Sequence, residues 1–138
     1  MQNDSITYLF TAFTIKHRDN LDKTMKEIGL HGGQIFILNL LWDQDGQSQA
    51  QLGKTLNLTA PTIYNMVIRL AQTGFVEVKK DQNDARVMRV FLTKKGTEIQ
   101  NQVVEQWQKF EQQTFANLTE PEKMMFIMLF QKVLERQN

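Results

Sequence analysis

The sequence predicts a mostly helical fold carrying one small β-hairpin, and three observations predict it. Residues 48–70 hold two short amphipathic segments joined by a tight turn, the second with Pro61 near its start. Two β-prone runs, 75–80 and 87–92, follow directly, separated by a polar tip at 81–86 rich in turn formers. Helical periodicities flank this unit, at 6–28 and again from 93 onward. Two short helices followed by a hairpin make a winged helix-turn-helix.

Taken in order, residues 6–28 form one long helix, because Ile6, Leu9, Phe10, Phe13, His17, Leu21, Met25 and Ile28 recur at three- and four-residue steps. Gly29 stops it, and 30–33 form a loop. Residues 34–42 carry Ile35, Phe36, Ile37, Leu38, Leu40 and Leu41 around most of a short helix, which should be the buried centre of its lobe. The turn at 43–46 leads to Ser48, which with Gln51 makes a capping box, so a helix starts there. Its Ala50, Leu52 and Leu56 lie mostly on one side, and it frays near Asn57. Thr59 is the next N-cap, and Pro61 falls in the first turn, where a missing N–H costs nothing.

Ile63, Val67 and Leu70 then recur at i, i+4 and i+7 as a buried stripe. The opposite side holds Thr62, Asn65, Arg69 and Gln72, with no acids. Gly74 ends this helix in a left-handed cap. In the second β-run, Met88, Val90 and Leu92 alternate with Val87, Arg89 and Phe91. Thr93 caps a further helix to about residue 117, with Ile99, Val103, Trp107, Phe110 and Phe115 at helical spacing. Thr119 and Glu122 form another capping box around Pro121. The last helix holds seven apolar residues in a row at 124–130, which go all the way round it. Such a segment needs burial on more than one side, against a second copy of the chain or inside its own.

At 138 residues and 41% hydrophobic content, the chain suits one domain, 1–138, with a substantial core. No apolar run reaches transmembrane length, and the N-terminus is too polar for a signal peptide, so no membrane partner is expected. The absence of cysteine excludes disulfides and thiolate metal sites and suits the cytoplasm. The net charge of +1 conceals a division. Residues 51–95 hold eight Lys/Arg against three acids, whereas each flank holds four against six. The basic middle coincides with the helix-turn-helix and hairpin, as a DNA-contacting lobe requires.

Ser48-Gln-x-x-Leu52, Leu56, Pro61-Thr62, Arg69-Leu70, Gly74 and Asp84-x-Arg86, closing on Leu92-Thr93-x-x-Gly96, stand at telling spacings. In this order they resemble the MarR family of bacterial transcription regulators, and within it the multidrug-responsive, MepR-like repressors. The resemblance covers nearly the whole chain. It implies a homodimer joined by helices in 1–29 and 97–138 around a winged-helix lobe at 30–96. It implies DNA contacts by Ser48 and Lys79, by Ala60, Pro61, Thr62 and Asn65 at the major groove, by Arg69 at phosphate, and by Arg86 in the minor groove, oriented by Asp84. It also implies a small, often aromatic or drug-like effector, for which Phe13, His17, Met25, Phe36 and Trp107 are candidate lining; core packing explains the same residues equally. The chain departs from its relatives at Asn65, where many have Arg, and at Ile68, where many have Asp.

No cofactor or metal site is expected, and no catalysis. His17 and His31 are not spaced as a metal pair, no Gly-Lys-Ser/Thr follows Gly33, and Asp43 and Asp45 belong to a surface turn. The expected function is a sequence-specific DNA-binding transcription regulator, a repressor acting on a pseudo-palindromic operator. The alternative is a winged helix that binds protein instead, since a fold does not dictate its function. The acid-free helix face, Lys79 with Lys80, and Arg86 at the tip favour polyanionic DNA.

Overall fold

The computed structural model describes residues 3–31 and 33–137. Gly32, within the expected loop at 30–33, lies outside them, as do the first two residues and the last of the expected 1–138 domain. Two compact units are present, one running to Gln106 and one from Trp107. The larger contains α1 (Ile6–Lys26), α2 (Gln34–Asp43), β1 (Gln47–Ser48), α3 (Gln49–Leu56), α4 (Ala60–Gln72), β2 (Val76–Lys80), β3 (Met88–Leu92) and α5 (Lys94–Glu98). α6 (Gln100–Thr114) spans the boundary, and α7 (Glu120–Gln137) belongs to the smaller unit. Among the described residues no helix is long and apolar enough to cross a membrane.

The core of the larger unit sits where the apolar periodicities converge. Ile35, Ile37, Leu38 and Leu41 of α2 are buried with Leu52 of α3, Ile63, Val67 and Leu70 of α4, and Phe75, Val76 and Val90 of the hairpin. One expectation fails here. Phe36 of α2 is exposed, because the helix meets neighbours on only part of its circumference. α1 is buried only near its end, at Leu21 and Met25; Ile6, Leu9, Phe10 and Ile15 are exposed.

The capping box of α3 is complete: Ser48 Oγ accepts from Gln51 N, and Gln51 Oε1 accepts from Ser48 N. Asn57 ends α3 in the left-handed conformation, φ 53°, and Leu58 N donates back to Gly53 O at 3.0 Å. Gly53 permits the tight turn, since a Cβ there would lie 3.2 Å from Leu58 O and 3.3 Å from Ile63 Cγ1. α4 begins at Ala60 with Pro61 in its first turn.

The wing is more than a hairpin. β1 adds a third strand, in the antiparallel order β1-β3-β2, with Gln47 opposite Val90 and Ser48 opposite Arg89. Val78 pairs with Val90 from the other side. Asp45 Oδ1 accepts from Leu92 N at 2.9 Å, so the turn read as plain surface also fastens β3.

Thr93 caps α5 as expected, with Gly96 N donating to its hydroxyl at 3.1 Å. The continuous helix to about 117 is instead two, broken at Ile99 and ending at Thr114. The break is local, because Ile99 N still donates to Lys95 O and Val103 N to Ile99 O. The second capping box forms in full, Thr119 N donating to Glu122 Oε2 at 3.0 Å and Glu122 N to Thr119 Oγ1 at 3.3 Å. Within the smaller unit, Phe126 stacks edge-on with Phe130 at 4.7 Å. No residue of α7 is buried.

Candidate nucleic-acid interface

One amphipathic helix and one hairpin tip make the site. Burial of Ile63, Val67 and Leu70 turns the other side of α4 outward, leaving Ala60, Pro61, Thr62, Asn65 and Arg69 all exposed. α4 contains no carboxylate, so nothing on it opposes an approaching phosphate. Thr59 Oγ1 and Thr62 Oγ1 share a hydrogen bond of 2.9 Å; Thr59 is the N-cap residue, but its side chain caps no backbone N–H. Ser48 lies deeper than a groove contact would, at 7% exposure, with its hydroxyl engaged in the α3 cap. Its position makes it the support of the helix pair.

The wing tip is organised by two carboxylates. Asp84 Oδ1 accepts from Arg86 N at 3.0 Å and from Arg86 Nε at 3.1 Å, and Asp84 Oδ2 accepts from Nη2 at 3.3 Å. The Arg86 side chain is 91% exposed, so an ion pair with it adds little stability. What the fork geometry does is aim the guanidinium outward in one direction. These bonds hold the Asp84 carboxyl below its usual range, the side-chain bond from Arg86 contributing most.

Asp81 makes the brace that the sequence reading missed. Its Oδ2 accepts from Asn83 N at 3.0 Å and Asp84 N at 3.1 Å, fixing the turn, while Oδ1 accepts from Arg89 Nε. Arg89 Nη1 donates in turn to Gly46 O at 3.0 Å. The Arg89 bond leads in pushing the Asp81 carboxyl below the ordinary value of 3.8. Lowered carboxyls favour the braced wing above their unfolded values, and that preference is lost only as pH falls through the lowered native ones. The tip is therefore fully braced at neutral pH. Gly46, at φ +74°, lies against Phe91; a Cβ there would fall 2.7 Å from the ring.

Lys79 is less available than its neighbour. It pairs with Glu77 at 3.5 Å and lies over the Phe91 ring at 5.5 Å. Lys80, the next residue on β2, is exposed and has no ionic partner among the described residues. A second overlooked residue is Tyr64, half exposed on α4.

Two residues of the suggested effector lining stand together on α1. Phe13 stacks on His17 along α1, centroids 4.9 Å apart, and burial lowers the affinity of His17 for a proton. Met25 is fully buried, with no surface to offer a ligand in this state. Phe36 is exposed, and Trp107 lies in the smaller unit, half buried.

The family model for the MarR family matches residues 30–88, the span from α2 to the start of β3. Over 115 residues the chain is 26% identical to YwoH of Bacillus subtilis (strain 168), an uncharacterised HTH-type transcriptional regulator, covering 83% of each chain. It has the fold of the S. aureus MepR–DNA complex, with a TM-score of 0.83 at 23% identity, over 96% of this chain and 98% of that one. It likewise has the fold of the PcaV transcriptional regulator from Streptomyces coelicolor, solved with its natural ligand. There the TM-score is 0.85 at 23% identity, over 100% and 98% of the two chains. The family's match thus lies on the helix-turn-helix and wing just described, and the chain has the winged-helix fold of solved MarR-family regulators.

Proposed function

We propose that the protein is a homodimeric, sequence-specific DNA-binding regulator that represses from a pseudo-palindromic operator. The observation that carries this reading is the exposed, carboxylate-free face of α4, together with the aimed guanidinium of Arg86. α4 enters a major groove, where Thr62 and Asn65 meet base edges, Ala60 and Pro61 lie against them, and Arg69 meets phosphate. Arg86 enters the adjacent minor groove, where narrow A·T-rich stretches attract guanidinium, and Lys79 and Lys80 follow the backbone. Two-fold symmetry sets the half-sites roughly one helical turn, ~34–36 Å, apart. Such a regulator works on the chromosome, in the cytoplasm. Titration against random duplex at low and high salt tests the reading: affinity should fall steeply as salt rises. Absence of duplex binding at low salt would leave the protein-binding alternative.

Two substitutions follow from the assigned roles. Arg86→Ala should weaken operator binding by ~1–3 kcal/mol with folding intact. Wild-type affinity in that variant would remove the wing from the mechanism. Asn can pair bidentately with adenine N6 and N7. The half-site should therefore contain an adenine whose replacement costs ~1–3 kcal/mol, and Asn65→Ala should erase that preference. A loss equal on all sequences would make Asn65 a backbone contact.

A small aromatic or drug-like effector would release the DNA. The stacked Phe13–His17 pair supports an aromatic ligand along α1, with Phe36 as further apolar surface. Met25 and Trp107 would join it only through a rearrangement or from the other unit. PcaV, of the same fold, was solved with its natural ligand.

A further inference from the structure

We propose that α4 also reads thymine, through the ring of Tyr64 packed against a base C5-methyl group in the major groove. This rests on the DNA-binding reading above and specifies what that helix selects. Tyr64 is 53% exposed although the core side of α4 is filled by Ile63, Val67 and Leu70. Among the described residues its side chain makes no hydrogen bond, ion pair or ring contact. A large aromatic ring held in water on an otherwise filled helix leaves apolar surface to be covered from outside.

Its neighbours define what could cover it. Ala60, Tyr64 and Ile68 recur at four-residue steps, with Pro61 three residues before Tyr64, along one edge of the outward surface. Thr62, Asn65 and Arg69 follow at three- and four-residue steps along the other edge. Ala60, Pro61 and Tyr64 are exposed and Ile68 is half buried. The outward side of α4 is thus split lengthwise into an apolar strip and a strip of donors, with no acid in either. In the major groove the apolar group is the thymine methyl, and the paired acceptor and donor of adenine stand next to it. A helix with Asn65 on the adenine edge and Tyr64 on a neighbouring thymine methyl matches that pattern. Ile68 extends the apolar strip by a further turn.

Deoxyuridine tests this directly, because it pairs like thymidine and lacks only the methyl. A half-site is first selected from a random duplex pool, and each thymine is then replaced singly by uracil. Wild type should lose about fourfold in affinity at one thymine position per half-site, the value of one buried methyl-sized group. Tyr64→Ala should bind the thymine and uracil duplexes equally, and Tyr64→Phe should keep the wild-type preference. Circular dichroism of both variants should match wild type, since the position is exposed. An absent uracil penalty in wild type, or one that survives in Tyr64→Ala, overturns the inference. So does equal weakening of Tyr64→Phe on both duplexes, which would mark a hydroxyl–phosphate contact. Failure to select any duplex would instead overturn the DNA-binding reading itself, and this inference with it.

Discussion

Ile127→Glu combined with Phe130→Glu should leave the chain unable to fold stably or to bind its operator. α7 has no buried residue, and Met124, Ile127, Leu129 and Val133, at 71, 55, 51 and 61% exposure, face different directions around it. Much of α1 adds Ile6, Leu9, Phe10 and Ile15 to the uncovered apolar surface. Monomers rarely expose contiguous apolar patches beyond a few hundred Å². A second copy covering both helices would bury an obligate-type interface, ~2,000 Å² or more. By symmetry the double variant places four carboxylates in that interface, each an unpaired buried charge costing several kcal/mol. The wild-type unfolding midpoint should accordingly rise with protein concentration. Sedimentation of wild type below micromolar concentration is the check. A stable folded monomer there would remove the dimer and the two-half-site operator together.

Gly96→Ala should destabilise the fold by ~3 kcal/mol, lowering Tm by about 10 °C. Gly96 is buried at the junction of α5 with the wing, and a Cβ there would lie 2.0 Å from Phe75 O and 3.0 Å from Phe75 C. Both are backbone atoms, so no side-chain rotation relieves the overlap. The same carbonyl accepts from Thr93 N at 3.1 Å, and Gly96 O accepts from Trp42 Nε1 at 2.9 Å. Shifting Gly96 would therefore disturb β2, α5 and α2 at once. Lys94→Ala, at an exposed position of α5, should change stability by no more than about 0.5 kcal/mol. A thermal melt of Gly96→Ala matching that of Lys94→Ala would show that the junction is loose.

What could be read from the sequence was what local rules control. The Ser48–Gln51 and Thr119–Glu122 capping boxes, Pro61 in the first turn of α4, and its stripe of Ile63, Val67 and Leu70 are set within one or two helical turns. The Asp84–Arg86 pair spans two residues, so it too was visible. β1 was not, because two polar residues carry no strand pattern and acquire their register only from β3, some 40 residues on. The brace from Arg89 to Asp81 and Gly46 joins separate segments and leaves no local periodicity. Phe36 was misjudged and Tyr64 overlooked for one shared reason. Apolar side chains in helical segments are usually core, and only the packed neighbours decide which of them stay outside. Met25 shows the converse, a flexible side chain suited to lining a pocket that the core has fully enclosed.

Selection of bound sequences from a random duplex pool tests the central claim most directly. The account predicts a pseudo-palindrome whose half-sites lie roughly one helical turn apart, each with an adenine that Asn65 requires and an A·T-rich flank where Arg86 enters. Recovery of sequences with no shared half-site, bound as well as random duplex, would contradict it.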